Sequence, residues 1–79
     1  RLEGMTFVIT GTVEHFANRK ELQAVIEAEG GKATGSVTAK TTYLINNDRA
    51  SNSSKNKKAK ELGIPIISEE EFLQMMKGE

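Results

Sequence analysis

The chain has 79 residues, and its eleven Lys and Arg side chains balance eleven Asp and Glu, so the formal net charge at pH 7 is zero. That length accommodates one domain, near the size at which a single core only just offsets the conformational entropy of ordering the chain, and leaves little room for a deep catalytic cleft. Cysteine is absent, which excludes disulfides and thiolate metal sites and leaves only a mild lean toward a cytosolic setting.

No apolar run approaches membrane-spanning length and no signal-peptide pattern opens the chain, so a soluble domain without a membrane partner is expected. The first residue is Arg1 and the first methionine is Met5, which reads as a piece of a longer protein, with N-terminal processing as the alternative. Neutrality holds only on average. Between positions 49 and 62 the residues Arg49, Lys55, Lys57, Lys58 and Lys60 face Glu61 alone, whereas Glu69, Glu70 and Glu71 follow close behind. Such local polarity points to an oriented surface rather than a generally basic protein.

In chain order, the β-branched apolar run from Thr6 to Ile9 predicts a buried strand. Asn18 and Glu21 form an N-cap and capping-box pattern ahead of Leu22, Val25 and Ile26 at helical spacing, and Gly30-Gly31 ends that helix. A weak strand follows over Lys32 to Val37 and a stronger one over Tyr43-Leu44-Ile45; residues 46–54 are a polar loop rich in Asn and Ser. Ser53 or Ser54 caps a second helix that runs through Leu62, its apolar content mainly Ala59 and Leu62, and Gly63 closes it. Ile64-Pro65-Ile66-Ile67 reads as a short strand with the proline near its start or on an edge. Ser68 and Glu71 make a second capping box, opening a last helix that buries Phe72, Leu73 and Met76. This alternation argues for a small α/β layer fold with a mostly parallel sheet. The link between the second and third strands is short, which by itself suggests a hairpin, because parallel neighbours need a longer crossover.

The chemistry concentrates where the first strand ends. Thr10 and Gly11 place a hydroxyl and a flexible backbone amide at a strand's carboxyl end, with Arg19 at the start of the next helix. Arg19 and Lys55 both fall in a helix first turn, where the macrodipole makes a cation unfavourable by on the order of 0.3–1 kcal/mol. Two such placements make sense if an anion sits between them. The bland alternative is ordinary surface charge, with Glu21 compensating Arg19, Thr10 closing a turn and Gly11 supplying φ > 0. Lys57, Lys58 and Lys60 either extend the positive surface along a nucleic-acid backbone or are a solvated helix face; Arg49 is an auxiliary contact in the loop.

The remaining titratable and sulfur-bearing residues read as structural. His15 has no companion for a metal and no positioned nucleophile, so it is a loop residue. Glu69, Glu70 and Glu71 are explained by dipole complementarity and capping, and Met75-Met76 by helix-end packing. Walker and Rossmann signatures are absent. Adenylation needs an activated lysine in a nucleotide cleft that this segment has no room to build, so the fragment is expected to be a non-catalytic binding module.

The segments Phe7-Val8-Ile9-Thr10-Gly11, Gly30-Gly31-Lys32, the run from Val37 to Ile45, and the run from Lys58 to Ile67 together resemble a BRCT domain over nearly the whole chain. Within that family the likeness is greatest to the subgroup at the C-terminus of bacterial NAD-dependent DNA ligases and in the large subunit of replication factor C. The resemblance implies a single BRCT domain over 1–79, a fragment of a larger protein, with a four-stranded parallel sheet flanked by three helices. It also implies that residues 35–42 cross to the far side of the first strand, which removes the difficulty of the short link.

Carried over by position, the family's phosphate pocket falls on Thr10, Gly11 and Lys55, joined by Arg19 in the replication-factor-like subgroup, although the loop before Arg19 is one residue longer here. Phe72 stands where many members place a tryptophan, which implies a smaller core and weighs against the tandem packing that reads phosphopeptides.

The function implied is a module binding DNA, at a phosphorylated end or nick, for a bacterial ligase of the cytoplasm and nucleoid. NAD, magnesium and zinc belong to the parent enzyme, and other domains of the parent chain are partners; the isolated domain is expected to be a monomer. The alternative is a protein or phosphopeptide interaction module of another replication or repair protein, an exonuclease or a clamp loader.

Overall fold

Residues 2–48 and 50–77 are described in the computed structural model of the chain; the auxiliary contact expected at Arg49 lies outside them. Seven elements follow in order: β1 (Thr6–Ile9), α1 (Arg19–Ala28), β2 (Lys32–Thr34), β3 (Tyr43–Ile45), α2 (Ser54–Leu62), β4 (Ile66–Ile67) and α3 (Glu69–Lys77). The strands form one sheet in the order β2-β1-β3-β4, and every neighbouring pair is parallel. The α/β fold with a four-stranded parallel sheet and three helices is therefore as expected from the resemblance.

The short link between β2 and β3 is not a hairpin. Both strands pair with β1, on opposite sides, and residues 35–42 carry the chain across. A crossover this short works because the strands it joins have three residues each. Val37 pins it to the core, a turn closes with Thr41 N–H donating to Thr38 C=O at 3.0 Å, and Thr42 N–H reaches Thr6 C=O at 2.7 Å. The strands are otherwise shorter than the sequence pattern suggests: β2 stops at Thr34, and β4 begins after Pro65, whose carbonyl accepts from Leu44 N–H.

Strand alternation divides the apolar residues between two faces. Phe7, Ile9, Ile45 and Ile67 join Leu22 and Ile26 of α1 and Phe72 of α3 on one face. Val8 and Leu44 join Val37, Ile64 and Ala59 of α2 on the other. The larger face is organised by Phe7, whose ring meets Phe72 edge-on at 5.6 Å and stacks on Tyr43 at 5.7 Å. Phe72 is fully buried, as expected, whereas Leu73 and Met76 are only half-buried. Leu62 departs from expectation: it is exposed, and the fully buried partner of Ala59 in α2 is Asn56.

The helix boundaries follow from local chemistry. Asn18 Oδ1 accepts from Glu21 N–H at 2.9 Å and caps α1, while the Glu21 carboxylate reaches back to Ala17 N–H. Ser53, rather than Ser54, caps α2 by accepting from Asn56 N–H. Gly63 closes α2 at φ +73, the left-handed conformation that lets Ile64 N–H turn back to Ala59 C=O at 2.8 Å. Ser68 and Glu71 form the reciprocal box that opens α3. No helix among the described residues is long and apolar enough to cross a membrane.

Candidate functional site

Each helix follows a strand of a parallel sheet, so α1, α2 and α3 all start on the side where the strands end, the side on which open α/β sheets bind ligands. Two consecutive amides, Asn46 and Asn47, leave the end of β3 there. Continuing the alternation of Leu44 and Ile45, Asn46 turns toward the α2 face and Asn47 toward the face of α1 and α3. Asn46 is buried; its Nδ2 donates to Asn56 Oδ1 at 2.7 Å and its Oδ1 accepts from Asp48 N–H. Asn56 in turn donates to Ser51 C=O. The two amides thus fasten the end of β3 to the first turn of α2.

Thr10 and Gly11 lie against this pair. Thr10 N–H donates to Ile45 C=O at 3.0 Å, extending the β1–β3 ladder by one step, and alternation from Val8 sets the Thr10 side chain on the α2 face. Gly11 has φ +79, and a Cβ there would stand 2.8 Å from Asn46 Oδ1. A side chain at 11 would meet both backbone strain and the amide that holds α2, so glycine is required on two counts.

Lys55 sits half-buried in the first turn of α2, which has no acidic residue. Asn56 N–H is taken by the Ser53 cap, whereas the N–H groups of Ser54 and Lys55 have no hydrogen-bond partner among the described residues, as is usual at a helix start. Lys55 and Lys58, three apart, share one flank of the helix and line a hollow of about 260 Å³ with Gly35, Ser36, Val37 and Ser54. Lys57 is exposed on the other flank with Lys60. Arg19 starts α1, on the opposite layer from α2, and is exposed; Glu21 shares its first turn. The geometry therefore draws Thr10, Gly11 and Lys55 to one layer at the end of the sheet, with Lys58 beside Lys55, and sets Arg19 across the sheet from them.

Glu69 is the residue whose role the sequence pattern obscures. It is the first residue of α3, where dipole complementarity and capping were expected to account for it, and it is 1% exposed. Its Oε2 accepts from Glu14 N–H at 2.6 Å and from Asn47 Nδ2 at 2.6 Å, its Oε1 accepts from His15 N–H at 2.8 Å, and its own N–H donates to Asn47 Oδ1. Asn47 Nδ2 also reaches Thr12 C=O. Burial alone would raise this carboxyl, but the bonds from Glu14, Asn47 and His15, with the His15 imidazole nitrogen 3.7 Å away, outweigh it and hold the group below the ordinary glutamate value. Nothing in local sequence separates Glu69 from Glu70, because its partners lie 22, 54 and 55 positions away. Every buried polar side-chain atom among the described residues has a partner, and among them no group of three or more His, Asp or Glu side chains is placed to hold a metal.

The profile of the BRCA1 C Terminus (BRCT) domain family matches residues 1–76. The chain is similar to a DNA ligase of Lachnoclostridium phytofermentans, 71% identical over 76 residues that make up 96% of the chain and 12% of that protein. It is 66% identical over 74 residues to a DNA ligase of Ruminiclostridium cellulolyticum (94% of the chain, 11% of that protein), and 48% identical over its full length to one of Geobacter metallireducens, again 11% of the relative. The chain thus spans about a ninth of the curated relatives it matches. With that match and the fold it forms, the chain belongs to the BRCT family.

Proposed function

We propose that this domain is the BRCT module of a bacterial NAD-dependent DNA ligase, that it performs no chemical step itself, and that it holds DNA by seating one phosphate, at an end or a nick. The observation that supports the reading is the Asn46–Asn56 link, which ties the end of β3, beside Gly11, to the first turn of α2 where Lys55 sits. A phosphate lodged there would meet the Thr10 hydroxyl, the Gly11 amide, the amides of Ser54 and Lys55, and the Lys55 ammonium. Such contacts hold an anion and offer no nucleophile or general base to transform it. NAD and the metal ions of the parent ligase would act elsewhere in that chain, in the bacterial cytoplasm, and its other domains would be this module's covalent neighbours. Arg19, at the far end of the β1–α1 loop, would reach the same phosphate from the other layer.

The test is a binding titration on matched duplexes with 5′-phosphate and 5′-hydroxyl ends. Lys55→Ala should lower the preference for the phosphorylated end by roughly tenfold or more, because a hydrogen bond to a charged group contributes about 1.5–3 kcal/mol. Arg19→Ala should lower it in the same direction. Equal affinity of the unmutated chain for the two ends would defeat the reading. Specific binding to a phosphopeptide, absent end preference, would favour a protein-docking role.

A further inference from the structure

The β1–α1 loop joins Gly11 to Arg19, two residues that the proposed function uses, and the loop has little structure of its own. Within residues 11–17 the hydrogen bonds among the described residues all go to side chains: Asn47 holds Thr12 C=O, Glu69 holds the N–H groups of Glu14 and His15, and Glu21 holds Ala17 N–H. Val13 and Phe16 only half-bury themselves against the core beneath. The Glu69 carboxylate occupies the concavity made by two successive backbone amides, a setting that ordinarily receives an anion. Its reciprocal pair with Asn47 welds the loop to the end of β3, and β3 is the strand that carries Asn46 toward Gly11 and α2.

We infer that Glu69, with Asn47, is a positioning residue of the phosphate site: it touches no DNA itself and holds the β1–α1 loop in the conformation that presents the Gly11 amide and Arg19. This rests on the proposed function. The alternative role is purely structural, a buried carboxylate that ties α3 to the domain. The two differ in what they predict for selectivity. A loop released from Glu69 spends part of its time in conformations that cannot bind, and a loop competent one-tenth of the time binds about tenfold more weakly. That loss falls on the phosphorylated end alone, because contacts of the α2 lysines with the DNA backbone do not pass through the loop.

The experiment uses Glu69→Gln, which keeps the shape and replaces one accepting oxygen with a donor that cannot take a loop amide. Hydrogen exchange at Glu14 and His15, thermal unfolding, and titrations with the 5′-phosphate and 5′-hydroxyl duplexes are read together. Expected are faster exchange at those two amides, retained protection in β1 and β3, a roughly tenfold fall in end preference, and unchanged affinity for the hydroxyl end. Asn47→Ala, which severs the Thr12 tie and loosens Glu69, gives the same ratio measurement if Glu69→Gln does not fold. Faster exchange with undiminished preference overturns the inference, as does an equal loss on both duplexes. No end preference in the unmutated chain overturns the functional reading and the inference together, whereas a preference kept in full by both variants overturns the inference alone.

Discussion

Gly11 and Glu69 show how differently single residues disclose themselves. At Gly11 the constraint is local and sharp: alanine would hold a left-handed backbone at a cost of about 1–2 kcal/mol, and its Cβ would displace the Asn46 amide from 2.8 Å. Gly11→Ala should therefore lower stability by at least the backbone cost, read as a lower urea midpoint, and weaken the proposed phosphate binding as well; an unchanged midpoint would show that the turn relaxes freely. Glu69 responds to pH. Its folded-state value lies below the ordinary 4.5, so the unfolded chain takes up the proton first as acid is added. The stability it contributes is complete above the unfolded value and is lost as pH falls through the depressed folded value. Glu69→Gln should therefore unfold in acid at a higher pH than the unmutated chain and with a less steep transition, because the proton that unfolding takes up at Glu69 is removed. Thr10, Gly11 and Lys55 were legible as candidates because a strand end, a glycine and a misplaced cation are visible in local sequence. Asn46, Asn47, Asn56 and Glu69 were not, because Asn belongs in any polar loop and Glu in any helix start, and only the fold reveals partners distant in the chain.

At the scale of elements, the helices were the readable part. Asn18, Ser53 and the Ser68 and Glu71 box announce three N-termini through side chains that satisfy amides within the same turn, and the caps are where the sequence placed them. The sheet was less readable from patterning alone, since hydrophobic alternation in three-residue strands does not distinguish a hairpin from the crossing made by residues 35–42; the family resemblance supplied that step. The energetic weight of α3 rests on Phe72, whose ring is fully buried and edge-on to Phe7. Phe72→Ala should destabilise by roughly 3–5 kcal/mol, a large part of what so small a core can supply. Leu62 is the matched control: it lies 41% exposed at the end of α2, so Leu62→Ala should stay within about 0.5 kcal/mol. Chemical denaturation of the two variants checks both, and similar midpoints would contradict the assignment of core and surface.

For the whole molecule, zero net charge at pH 7 means that no global field would draw it to DNA, so the proposed binding would rest on local placement of cations. Lys57 and Lys60 lie on the flank of α2 away from the Lys55 hollow, and each should act as a backbone contact. Replacing either by alanine should weaken phosphorylated and unphosphorylated duplexes alike and reduce the slope of log K against log salt by about one; a loss confined to the phosphorylated duplex would place that lysine in the pocket instead. The proposed pocket depends on an odd-even rule. Asn46 and Asn47 serve opposite layers only because they leave an extended strand as neighbours in sequence. Inserting a single residue between Ile45 and Asn46, or deleting Ile45, would exchange the faces of Asn46 and Asn47, so that Asn56 and Glu69 would lose their partners in one event. The placement of both loops is thus encoded in the parity of one short strand, and a frame error there would be felt on both sides of the sheet at once.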